Sequence, residues 1–102
     1  MTVMNVVHMR VKPGQVDAYL AIHENMRAQV EAMAGVRNLW LVKSGERSFI
    51  VVGEWDSQDA LTAARPALIA SLDQSRPILE DLGGGRGVTE PWSGEVVLQL
   101  GR

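Results

Sequence analysis

His23 and Arg27 stand four residues apart in the stretch HENMR, a spacing that puts two side chains one turn apart on a helix. Histidine ionises nearest neutral pH and can take up or return a proton there, and an arginine one turn on can steady an anion or phenolate. Around them Val16, Tyr19, Leu20, Met26, Val30 and Met33 recur at spacings of three and four. That periodicity predicts an amphipathic helix over 15–33, with His23 near the centre of its apolar stripe and Arg27 at the edge. The imidazole is expected between this helix and the layer it packs on, as a base or ligand contact. A core histidine satisfied by a backbone carbonyl or water would have the same address. An arginine at a stripe edge commonly rests its stem on apolar surface and keeps its head in water.

Trp55, in GEWDSQDAL, is the second residue able to shape a site. It closes the apolar run Phe49, Ile50, Val51, Val52, and Asp56 and Ser57 follow at once, either of which can cap a helix. The indole suits a wall for a flat aromatic ligand and suits core packing equally well. Other constellations fail on spacing. HENMR begins like the zinc motif HExxH but has Arg27 where the second histidine belongs. The tract GGGRG at 83–87 lacks the Lys-Ser/Thr of a phosphate-binding loop and reads as a helix stop. With two histidines and no cysteine, neither a thiolate nucleophile nor a dedicated transition-metal site is expected. The expected site is free of metal and flavin.

These residues need positioning by elements that the pattern supplies in order. TVMNVVHMRV (2–11) predicts a strand stopped by Lys12-Pro13-Gly14, and the 15–33 helix stops at Gly35. VRNLWLVK (36–43) and SFIVVGEW (48–55), joined by SGER, predict an antiparallel hairpin. Beyond Trp55 the stripe Leu61, Leu68, Leu72, Leu79 predicts a second helical region to about Leu82, broken at Pro66 because the residue before a proline avoids helical geometry. An irregular final strand is expected over 88–100. The order β-α-β-β-α-β is the ferredoxin-like arrangement, an α+β fold with a four-stranded antiparallel sheet and two helices on one face, in a single domain over 1–102. Both parities of the strands are apolar: Val3, Val7, Met9 and Val11 against Met4 and Val6, and Phe49, Val51 and Trp55 against Ile50 and Val52. The uncovered face is therefore expected to pack on the sheet of a second copy, as a homodimer. The sequence leaves open which face carries His8.

The chain resembles the antibiotic biosynthesis monooxygenase family of dimeric α+β barrel proteins. The likeness is carried by VKPGQ before the first helix, by the AGV turn, and by EWDSQDAL, where the family commonly has Glu/Tyr-x-Trp-x-Ser-x-x-Ala. It implies a dimeric barrel and a pocket between helices and sheet. Family oxygenases that oxidise polycyclic phenols without metal or flavin carry a tryptophan matching Trp55. Their asparagine four residues upstream falls on Val51 and their tyrosine six residues downstream on Leu61, while Arg65 and Arg76 are approximate counterparts of their helical arginine. In the haem-degrading branch the first-strand asparagine falls on Val7, and the second-helix tryptophan and histidine fall on Ala64 and Gln74.

Three functions fit. The first is a cofactor-independent monooxygenase acting on an aromatic, phenolic or quinol-type molecule, with His23 as base and Trp55, Leu61, Leu68 and Leu72 as walls. Tyr19 contacts the ligand and Arg27 or Arg65 stabilises the anion. The second is a non-catalytic homodimer binding a small hydrophobic molecule. The third is haem binding or degradation with His23 or His8 as axial ligand. A net charge of −2 with scattered basic residues argues against nucleic acid. Charges interrupt every apolar stretch, so no membrane span is expected, and a cytoplasmic location follows as an expectation.

Overall fold

Alternation decides which side of each strand is buried. In the computed structural model, which describes residues Met1–Arg102, β1 (Val3–Arg10) turns Val3, Asn5, Val7 and Met9 to one face, with Val3 and Met9 buried. β2 (Val36–Lys43) and β3 (Ser48–Trp55) form the expected hairpin, and β4 (Glu90–Glu95) pairs with β1. The sheet is antiparallel throughout, in the order β2-β3-β1-β4. Register sets Val3 opposite Trp55, Asn5 opposite Gly53, Val7 opposite Val51 and Met9 opposite Phe49.

Two separate core clusters follow from that register. At one end Val3 and Trp55 pack with Leu61 and Ala64; at the other, Met9 and Phe49 pack with Val11, Tyr19 and Leu79. The middle of the helix-facing surface, around Asn5, Val7 and Val51, is only partly buried, with Val7 and Val51 packing against the edge of the second cluster.

The helices cover this face as expected, with three differences. The first helical region is two pieces, α1 (Val16–Asn25) and α2 (Arg27–Glu31), meeting at buried Met26. The Met26 amide bonds the His23 carbonyl three residues back, a tightened turn that ends α1. Neither glycine nor proline marks the place, so the periodicity runs through it unbroken. Second, α3 (Gln58–Asp73) contains Pro66 without breaking, contrary to expectation. Leu61, Leu68 and Leu72 stay in register across the proline, while Pro66 and Thr62, whose carbonyl loses its amide partner, lie on the exposed side. Third, α3 stops at Asp73 rather than near Leu82. The Ser75 hydroxyl donates to the Leu72 carbonyl at 3.0 Å, a single 3₁₀ turn follows over Arg76–Ile78 with Pro77 at its second position, and Leu79 is extended and bridges Val11. The GGGRG tract therefore ends no helix. It folds as a loop held by Arg86, which donates to the Leu82 and Gly83 carbonyls. The final strand is also shorter than 88–100.

Ser57, not Asp56, caps α3, its hydroxyl accepting the Ala60 amide at 3.1 Å. The opposite sheet face is bare, and His8 lies on it between Ile50 and Glu90. One row crossing all four strands there reads Trp40, Val52, Val6, Trp92, with Trp40 47% and Trp92 58% exposed. No helix is long and apolar enough to cross a membrane.

Candidate active site

A cavity of about 810 Å³ opens between α1–α2 and α3, above the sheet surface that the two clusters leave between them. Asn5, Val7, Leu39, Leu41 and Val51 form its floor, and Leu61, Leu68 and Leu72 line the α3 side. The volume is that of a small-molecule site, and the lining is mostly apolar.

His23 reaches this cavity from α1. Its Nε2 is buried and has no hydrogen-bond partner. Leaving such a nitrogen unpaired away from water is unfavourable unless a ligand meets it. The ring stands edge-on to Tyr19, with centroids 4.5 Å apart. Tyr19 packs in turn against Phe49, and its hydroxyl donates to the Met9 sulfur at 2.8 Å. Burial lowers the His23 pKa from 6.5 and raises that of the Tyr19 phenol. At neutral pH the imidazole is therefore uncharged with an accepting nitrogen available, and Tyr19 is a protonated prop.

A second polar point lies on the floor. Trp55 Nε1 donates to Asn5 Oδ1 at 2.8 Å. The indole can only donate, which fixes the amide with its oxygen toward Trp55. The Asn5 amide nitrogen has no protein partner and is left at the cavity wall. Gly53 makes the arrangement possible: a Cβ there would collide with Asn5 Oδ1 and stand 2.7 Å from Trp55 Nε1.

Charged groups sit at the rim. Arg27 is exposed and forms a two-point pair with Glu24, at 3.1 and 2.7 Å, which holds the Glu24 pKa down and the Arg27 pKa up. Arg37 pairs with Asp56 at 2.6 Å and also donates to the Thr2 hydroxyl. Arg65, on α3, has no carboxylate partner and makes one long contact, 3.4 Å, to the Ser93 hydroxyl of β4.

The sequence profile of the antibiotic biosynthesis monooxygenase family matches residues 2–67, more than half of the chain. This chain belongs to that family. Among solved structures of the same fold, the Rv0793 protein of Mycobacterium tuberculosis superposes with a TM-score of 0.78 at 16% identity, covering 99% of this chain and 100% of that one. SnoaB of Streptomyces nogalater, a cofactor-independent oxygenase, superposes at 0.77 with 15% identity, covering 99% and 98%. A conserved protein of Methanosarcina mazei Go1 gives 0.77 at 13% identity, covering 92% and 91%. No curated protein matches the sequence.

Within this family fold, His23, Arg27, Leu61, Arg65, Leu68 and Leu72 all line the one cavity. Trp55 and Tyr19 do not: both are fully buried, one behind Asn5 and the other behind His23. Arg27 reaches the cavity only as half of an ion pair with Glu24, three residues back. Among the polar groups lining the cavity, sequence reasoning missed Asn5, Glu31, Arg37 and Asn38. A signal existed for Asn5, the single polar residue on the Val3, Val7, Met9, Val11 parity of β1. No three His, Asp or Glu side chains gather closely enough to hold a metal ion.

Proposed function

We propose that this chain is a cofactor-independent monooxygenase that oxidises a flat phenolic or quinol-type aromatic molecule, acting as a homodimer joined through its bare sheet faces. The buried, unpartnered Nε2 of His23 in an apolar cavity carries the reading. Such a nitrogen, neutral at physiological pH, is suited to accept a phenolic proton. The Asn5 amide nitrogen can donate to the resulting oxyanion, and the low-dielectric walls strengthen that contact.

The electrons come from the substrate. Deprotonation of an anthrone-like molecule gives an anion with carbanion character, which passes electrons to dioxygen and forms a carbon–oxygen bond. The hydroperoxide that results loses water, so a CH₂ group becomes a carbonyl and the second oxygen atom leaves as water. The similarity of fold to SnoaB supports this chemistry. A non-catalytic binding module is the second reading, favoured by Val51 and Leu61, which line the cavity where related oxygenases carry polar groups.

Oxygen uptake separates the two. With anthrone-like or hydroquinone substrates the wild-type protein should consume oxygen, and His23→Gln should lose activity by about 10²-fold or more, the usual size of a general-base loss, while remaining folded. Unchanged turnover in the variant removes His23 as the base. No uptake by wild type, together with binding of the same molecules, favours the binding module.

A further inference from the structure

We infer that α2 is a strap that closes the mouth of the cavity by moving onto α3. Such a strap controls entry and release whatever the ligand, independently of the reaction proposed above.

The strap is weakly held. Its 5 residues make little more than one turn, and so short a helix keeps its shape in water only where packing or caps support it. α2 has neither: none of its residues is buried, and no side chain caps either end. Every hydrogen bond made by residues 27–31 stays within residues 23–33, and the one side-chain link among them is the exposed Arg27–Glu24 pair across the joint. The attachments lie beyond its ends, where Met26 is buried and Met33 packs at the edge of the cluster of Val3, Trp55, Leu61 and Ala64. A segment held in this way opens and shifts before its neighbours do.

Space for the movement exists on the α3 side. A groove of about 340 Å³ separates the two helices, with Gln29 and Ala32 on one wall and Ala67, Ala70 and Gln74 on the other. Ser71 lines both this groove and the main cavity, so the two spaces adjoin. The alanines give α3 no bulk to stop the approach. Apolar surface at the mouth favours it: Ile69 on α3 is 52% exposed at the cavity, and Val30 on α2 is half-buried there. Bringing them together removes apolar area from water and offsets the cost of ordering the strap.

The chain has no cysteine, so introduced thiols can both lock the strap and report on access. Gln29→Cys with Gln74→Cys, exposed positions on opposite walls of the groove, should form a disulfide under mild oxidation, a bond that needs the two Cβ atoms within about 4.5 Å. Ala32→Cys with Ala70→Cys spans the same groove and serves if the first pair disturbs the fold by circular dichroism. Val51→Cys then places a thiol on the cavity floor. Its labelling by N-ethylmaleimide, followed by mass spectrometry, should be roughly tenfold or more slower with the strap locked than in Val51→Cys alone, since access scales with the open fraction, and it should recover on reduction. If neither pair closes in the folded protein, α2 does not reach α3 and the proposal falls. Equal labelling with and without the lock would show that the movement leaves the mouth open, and a thiol at position 51 that is unreactive even without the lock would leave no open mouth to close; either result overturns it.

Discussion

His23, the base in the proposed reaction, also ties stability to pH. Its pKa lies below 6.5 because burial disfavours the charged ring. The unfolded chain therefore binds the proton more readily, and the His23 contribution to stability is fully present above pH 6.5. It declines as pH falls from there through the lowered folded value. Activity should show the same asymmetry. The rate in the oxygen-uptake assay should fall on an acid limb centred below pH 6.5, and His23→Gln should abolish that limb along with most of the rate. A limb unchanged in the variant would assign the titration to another group. Trp55 acts through a different link, supporting the floor from behind Asn5. Trp55→Phe should cost about 1–3 kcal/mol through imperfect repacking and the lost bond to Asn5 Oδ1. Combined with Asn5→Ala in a denaturation double-mutant cycle, it should give a coupling of about 1 kcal/mol. Zero coupling would mean that the 2.8 Å contact contributes nothing to stability.

At the scale of the element, α3 carries Leu61, Arg65, Leu68 and Leu72 along one side of the cavity in a single unbroken run. Pro66 costs it an amide and leaves the Thr62 carbonyl for water. Pro66→Ala should therefore stabilise the protein by roughly 2 kcal/mol in urea unfolding, since the interior-proline penalty of about 3 kcal/mol exceeds the entropy that proline removes from the unfolded chain. Destabilisation instead would show that the ring itself packs usefully or sets the bend of the helix. The break at Met26 has the opposite origin. It coincides with a buried Met26 side chain and a tightened turn, and Arg27 just beyond it pairs with Glu24 just before it.

For the whole molecule, the governing fact is a sheet with helices on one side only. The row Trp40–Val52–Val6–Trp92 leaves two large aromatic side chains about half exposed on a chain of 102 residues. A second copy covering that face would bury the row and neighbouring Ile50 and Met4. Sedimentation at micromolar concentration should give about twice the monomer mass. Val52→Lys, which puts a charge in the centre of the row, should shift the protein to monomer while leaving the helix-side core intact. A wild-type monomer would leave the apolar row without a partner of its own kind.

Periodicity and punctuation determined most of the architecture. The valine-rich and apolar runs of β1 and β3, the SGER turn, the stripe from Leu61 to Leu72 and the Asp-Ser capping signal are local features. They act within a few residues, and the strands, the hairpin, the start of α3 and the βαββαβ order follow from them. His23 was legible as a pocket residue because a helical stripe has one centre wherever its helix packs. Tertiary structure decided the rest, because burial and pairing involve residues far apart in sequence. Only register could place Asn5 beside Trp55, fifty positions away. Only packing of Leu61, Leu68 and Leu72 on the core clusters could carry α3 unbroken through Pro66, and only the fold could bring Arg65 to Ser93, twenty-eight positions away. The cavity has the same origin, as the interval on one sheet face between two core clusters whose members come from opposite ends of the same strands.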